Sequence, residues 1–286
     1  MTDTVTFRLL TPADAPALEA FLTSHGDSSM FLRANSRRAG LVFEGAPFQA
    51  VYVGAFRASE IGGVAAHAWN GNLLIQAPGC AADVARAAVR LSGRAVRGLM
   101  GPADQVREAR VSLGLADAPS TIAADEGLFA LDLARLVPPR ALVERSVLCR
   151  APLSDERAVL RDWRSAYDIE ALGSPDSAKT RQRTAAFLDR QIADGDVWVA
   201  VVGNNPVSLS AFNASLPDIV QLGGIYTPPA LRGRGYAKVA VAGALQAARG
   251  RGATRAVLFT DNPSAERCYR ALGFERVGSY ALVMLT

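Results

Sequence analysis

The stretch that most constrains this chain is residues 223–237, Gly-Gly-Ile-Tyr-Thr-Pro-Pro-Ala-Leu-Arg-Gly-Arg-Gly-Tyr-Ala. A strand-like apolar run stops at two consecutive prolines, which fit neither a helix interior nor a central strand. A short basic loop follows, and a helix-like run, Tyr236 to Arg249, begins at once. The first amides of a helix have no partner within it, and the helix dipole places about half a positive charge at that end. Gly233 and Gly235 let backbone approach an anion without a Cβ in the way, and Arg232 and Arg234 add charge. The loop is therefore built for a phosphate-bearing ligand. The Walker pattern is absent, and the dinucleotide pattern fails because Lys238 stands where its third glycine belongs.

A third pattern fits. Arg232-x-x-Gly235-x-Ala237 resembles the R/Q-x-x-G-x-G/A signature of the GNAT (GCN5-related N-acetyltransferase) superfamily. Downstream, Asn262, Ala265, Tyr269 and Gly273-Phe274 resemble that family's N-x-x-A-x-x-x-Y-x-x-x-G-F block, in the family's order. The wording YTPPALRGRGYA and the F-T-D-N segment resemble its FR47-like branch. The resemblance implies an acyltransferase using acetyl-CoA, or another acyl-CoA, as cosubstrate and no metal. It implies that Ile225, Tyr226 and Thr227 line the pantetheine arm and that Arg232, Gly233, Arg234, Gly235, Tyr236 and Ala237 hold the pyrophosphate. Asn262 and Ala265 then contact the cofactor, and Tyr269 stands near the sulfur as the catalytic acid. A phenol of ordinary pKa about 10 can protonate a departing thiolate. The acceptor is an amine, on a small molecule or a protein. Glu170, Asp168 and Asp218 are acids near the expected cleft, and none is assigned as a base.

Organisation follows from periodicity. Pro138-Pro139 marks a connection between residues 1–138 and 139–286. The second half reads as strand 142–150, helices 154–172 and 179–193, strands 197–202, 207–215 and 219–227, helix 236–249, strand 253–260, helix 263–272, and a last pair of strands within 274–285. The first half reads as strand 6–10, helix 12–23, strands 48–56, 62–68 and 73–76, helix 81–92, strand 96–100, helix 102–113 and strand 127–133. Val96 to Gly114 sits beside Ala256 to Gly273 as strand, turn, proline-opened helix and Leu-Gly. This predicts two tandem GNAT-like α/β domains, each a mixed, mostly antiparallel twisted sheet flanked by helices. The loop of the first copy, residues 76–81, has no basic residue, and Arg110 falls where Tyr269 would be, so this copy is expected to be degenerate.

Composition excludes other classes. The chain has 286 residues, 31 basic and 27 acidic, with Lys179 and Lys238 its only lysines. The arginines are scattered among acids rather than striped with aromatics, which argues against nucleic acid. Cys80, Cys149 and Cys268 lack metal or disulfide spacing, and His25 and His67 are too distant for a cluster. The longest uncharged run, 61–82, holds Asn70, Asn72 and Pro78 and does not read as a membrane span. No secretory signal is expected at the N-terminus, and a cytoplasmic protein is the expectation. A homodimer is left open. The alternative function is a non-catalytic acyl-CoA sensor or interaction module on the same fold.

Overall fold

A computed structural model describes residues 5–286. The chain divides into two compact units. Residues up to Leu128 together with Val277–Thr286 form one, and Phe129–Arg276 form the other.

The first copy runs β1 (Thr6–Leu9), α1 (Ala15–Ser24), α2 (Met30–Ala39), β2 (Ala50–Arg57), β3 (Glu60–Ala68), β4 (Asn72–Gln76), α3 (Ala81–Ser92), β5 (Gly98–Pro102), α4 (Ala103–Ser112) and β6 (Ser120–Asp132). After a one-turn helix α5 (Arg140–Val143), the second copy runs β7 (Leu148–Arg150), α6 (Arg157–Leu172), α7 (Ala178–Ala193), β8 (Val197–Val202), β9 (Asn205–Ser215), β10 (Ile219–Tyr226), α8 (Tyr236–Gly250), β11 (Arg255–Thr260), α9 (Pro263–Arg270) and β12 (Glu275–Leu285). The succession β-α-α-β-β-β-α-β-α-β is the same in both, so the tandem reading holds. The closing turns repeat atom by atom. Gly114 N–H donates to Val111 O and Leu115 N–H to Arg110 O, while Gly273 N–H donates to Arg270 O and Phe274 N–H to Tyr269 O. Both glycines have positive φ, 69° and 102°, as this helix C-terminus requires. Arg110 is thus the counterpart of Tyr269.

In the first unit the strands run β1-β2-β3-β4-β5-β12-β6, and in the second β6-β11-β10-β9-β8-β7. β4 with β5 and β10 with β11 pair parallel, while β1–β2, β2–β3, β3–β4, β5–β12, β7–β8, β8–β9 and β9–β10 pair antiparallel. The closing strands are exchanged between copies. β12, which ends the second copy, pairs with β5 from Tyr280↔Pro102 to Met284↔Gly98. β6, which ends the first copy, carries residues 129–132 into the second unit beside β11. The compact units therefore do not follow the Pro138-Pro139 connection.

Alternation along the strands of the second unit feeds two cores. Trp198, Phe212, Val220 and Leu222 pack with Val241 and Leu245 of α8 on one face. Val197, Val199, Val201 and Leu209 pack with Leu160 of α6 and Leu188 of α7 on the other. Gly243 of α8 accepts β7 at close range: a Cβ there would lie 2.3 Å from Cys149 Cβ.

Several elements differ from expectation. The last pair of strands is one strand, because Gly278 keeps an extended backbone within β12. The strand expected at 142–150 is helix α5, a turn and the short β7, since Pro139 opens a helix by fixing φ at −68°. The helix expected from Pro12 begins as a 3₁₀ turn, Pro12–Asp14. Helix α2 is unanticipated. Its Asn, Ser and three Arg mask the apolar period, yet Arg33 is 2% exposed and pairs with Glu19 at 2.8 Å.

Candidate active site

Two local departures from regular sheet prepare the site. The first is a bulge in β10. Gly223 pairs with Ala211 and Tyr226 with Leu209, so Gly224 and Ile225 together stand against Ser210. Gly224 has φ 69°, a conformation costly for other residues. The second departure is a fork. β10 and β11 pair only from Ile219↔Arg255 to Gln221↔Val257, although β10 continues to Tyr226 and β11 to Thr260. Beyond Gln221 the two parallel strands are no longer in register, which leaves the edge of β10 open to an extended ligand.

The fork leads to the mouth of α8. Gly233 and Gly235 sit at φ 78° and 79°, and Gly235 is the N-cap without any side-chain cap. Val239 N–H is the first amide of α8 with an acceptor, Gly235 O at 3.3 Å. Among the described residues, no protein group accepts from the amides of Gly233, Arg234, Gly235, Tyr236, Ala237 or Lys238. Six consecutive donors at a positive helix end form an anion cradle.

The two arginines have separate tasks. Arg234 is exposed, and among the described residues its only hydrogen bond is a long one, 3.5 Å, from Nη2 to Ala230 O. Arg232 turns back from the cradle. Its Nη2 meets Glu170 Oε2 at 2.6 Å, its Nε donates to Thr227 O at 2.9 Å, and it lies over the Tyr226 ring. The Tyr226 hydroxyl donates to Glu170 Oε1 at 2.9 Å. Arg232 holds the Glu170 carboxyl below its ordinary range, and Tyr226 adds to the effect. Burial first, then Glu170, pushes the Tyr226 phenol up. Arg232 is thus a strut between α6, β10 and the loop. Thr227 Oγ1 is engaged with Ser208 Oγ at 2.8 Å.

The downstream motif arrives on α9. Asn262 is its N-cap, with Oδ1 accepting from Ser264 N–H at 2.9 Å and Ala265 N–H at 3.3 Å. Its carboxamide oxygen is therefore occupied, and the NH₂ group is what remains to offer a ligand. Tyr269 is 7% exposed and stands edge-on to Phe274 at 5.8 Å between ring centroids. Ile225 of the bulge and Ala265 pack against the same core cluster as Tyr269. The upstream and downstream motifs, some forty residues apart in sequence, thus converge on one cluster. Cys268 is pushed up to about 11 by burial, so no reactive thiolate stands beside Tyr269.

Two of the three acids near the cleft, Asp168 and Glu170, are held by arginines. Asp168 is buried between Arg164 at 3.0 Å and Arg183 at 3.2 Å. Asp218 lies just before β10, where its backbone carbonyl accepts from Thr254 N–H and Arg255 N–H. Sequence reasoning named Glu170 only as an acid and missed its strut, because its partner lies 62 residues away.

The first copy's equivalent region is filled by protein. Its strand-to-helix loop is residues 77–80, against 227–235 in the second copy. There Ala77 N–H donates to the buried Gln105 Oε1 at 2.6 Å, and Gly101 presses on Ile75 O, where a Cβ would stand 2.5 Å away. Among the described residues, no group of three or more His, Cys, Asp or Glu could hold a metal, and no helix is long and apolar enough to cross a membrane.

Residues 159–274 match the model of the acetyltransferase (GNAT) family. No curated protein matches the chain. Among solved structures, it is similar to a GCN5-related N-acetyltransferase from Sphaerobacter thermophilus, with TM-score 0.58 and 17% identity over 99% of this chain and 96% of that one. A GCN5-related N-acetyltransferase from Kribbella flavida gives TM-score 0.56 and 20% identity over 90% and 93%. A tandem GNAT protein from the clavulanic acid biosynthesis pathway gives TM-score 0.54 and 14% identity over 98% of both chains. The family match spans residues 159–274, and the whole chain shares the fold of these solved structures.

Proposed function

We propose that the chain is an acyl-CoA-dependent N-acyltransferase that moves an acetyl group from acetyl-CoA to a primary amine by direct attack on the thioester. The observation that carries this reading is the run of six unpartnered amides at the mouth of α8, placed where β10 and β11 part. In this reading the second copy, 139–286, binds the cosubstrate, and the first, 1–138, has lost that capacity. The pyrophosphate rests on the amides from Gly233 to Ala237, with Arg234 supplying free charge. The pantetheine lies along the open edge of β10 past Ile225, Tyr226 and Thr227, and the Asn262 NH₂ group and Ala265 flank it.

The neutral amine forms an N–C bond to the thioester carbon. Charge grows on the carbonyl oxygen, and a backbone amide fixed by the bulge stabilises it. The C–S bond then breaks, the Tyr269 hydroxyl protonates the sulfur, and the proton shed by the acylated nitrogen passes through solvent to restore the phenol. Glu170 is not the base, because both its oxygens are engaged by Arg232 and Tyr226. Binding both reactants in one cleft supplies much of the rate.

Calorimetry with acetyl-CoA tests the reading: absence of binding at millimolar ligand overturns it. The burial of Tyr269 favours one rival, a sensor on the same fold that binds acyl-CoA without turnover. Release of CoA thiol with any member of an amine panel eliminates that rival.

A further inference from the structure

Arg164 of α6 is buried, its side chain 8% exposed, and its charge is incompletely answered. Nη2 lies 3.0 Å from Asp168 Oδ1, but Asp168 also serves Arg183 at 3.2 Å. Two guanidinium groups thus share one carboxylate. The Nε and Nη1 of Arg164 are both enclosed and, among the described residues, have no hydrogen-bond acceptor. Donors buried without a partner are costly, and native structures retain them where something else completes them. The faces of the guanidinium are lined by aromatic rings, Tyr167 at 5.1 Å and Phe187 at 4.8 Å. Its Nη1 is directed at the β10 bulge: a Cβ at Gly224 would come within 2.3 Å of it. Gly224 is therefore required twice, by its φ and by the guanidinium lying against it.

We propose that Arg164 reads the acceptor, and that the acceptor is an amine bearing a carboxylate, of the amino-acid type. The carboxylate takes Nη1 and supplies the negative charge that the Arg164–Asp168–Arg183 cluster lacks. The amine is thereby set at the bulge. This rests on the reading above, which puts the thioester carbonyl at that bulge. Gly224 lies beside both groups, so nitrogen and carboxylate must be only a few bonds apart, as in an α- or β-amino acid. Because Nη1 is enclosed, entry of the carboxylate requires local side-chain movement around the guanidinium. Polyamines and aminoglycosides, which bring more positive charge, are excluded as acceptors.

The test offers the intact chain matched acceptors, each α-amino acid beside its own carboxamide, and follows CoA thiol release with acetyl-CoA present. The expected result is a kcat/KM at least about tenfold higher for the carboxylate form, with the ratio falling to about one in Arg164→Met and Arg164→Lys while acetyl-CoA affinity is unchanged. A readout without turnover is calorimetry with the N-acetyl amino acid, which binds the wild-type chain while its amide does not. The wild-type panel decides the matter even if neither variant folds. Equal or faster turnover of carboxamides, or turnover of no amino acid by a chain that binds acetyl-CoA, overturns the inference and leaves cofactor binding standing. Failure to bind acetyl-CoA overturns the proposed function first.

Discussion

Replacing Gly235 by Ala separates the anion cradle from ordinary loop packing. The position has φ 79° and is open, its nearest neighbour to a new Cβ being Lys238 Cε at 3.9 Å. The substitution therefore meets no steric clash and acts through backbone conformation alone. A left-handed conformation costs a residue with a Cβ about 1–2 kcal/mol. The loop will relieve that strain by rotating φ to negative values, which turns the neighbouring amides away from their common focus. A hydrogen bond to a charged group contributes about 1.5–3 kcal/mol. Loss of one such bond should weaken acetyl-CoA binding about ten- to a hundredfold. The assay is isothermal calorimetry with acetyl-CoA, with thermal unfolding measured in parallel. Gly235→Asn is the control, since Asn tolerates the left-handed region and should retain most of the affinity. If Gly235→Ala lowers the melting temperature but binds acetyl-CoA as tightly as the wild type, the diphosphate does not rest on these amides.

Three further outcomes are expected. Tyr269→Phe should lower kcat about a hundredfold, within the range for loss of a general acid, with little change in acetyl-CoA affinity; an unchanged kcat removes Tyr269 from the chemistry. Glu170 is held below its ordinary 4.5, so its contribution is present above that pH and is lost as pH falls through the lowered value. The melting temperatures of the wild type and Glu170→Gln should therefore differ at neutral pH and converge in acid; a constant difference across pH refutes the strut. Gly243→Ala should destabilise the chain by about 1–3 kcal/mol in denaturant unfolding, because overpacking against Cys149 outweighs the helix preference for Ala.

What was legible in the sequence was local. The start of α8 and its loop could be read because Pro228, Gly233 and Gly235 each restrict the backbone on the spot, and α3 was bounded to the residue at Ala81–Ser92 by Pro78 before it and Gly93 after it. The repeat could be read because the Leu-Gly turns at Gly114 and Gly273 are short-range hydrogen-bond patterns. What escaped was long-range. Arg232 looked like a phosphate ligand by position, and only the fold brings Glu170 to it. Arg164 resembled any surface arginine of an amphipathic helix until the bulge at Gly224 was placed against it. The destination of β12 had no local signature, since an alternating strand pairs equally well with any compatible edge.

The exchange of closing strands makes synthesis and folding interdependent. The edge of β5 at Pro102 emerges from the ribosome long before its partner, Tyr280. Until residues 280–284 are made, the N-terminal copy carries an exposed edge of the kind that recruits foreign strands. A stop codon near Gly278 would therefore injure the amino-terminal half first, and fragments expressed separately at the Pro138-Pro139 connection would each miss a strand that the other holds.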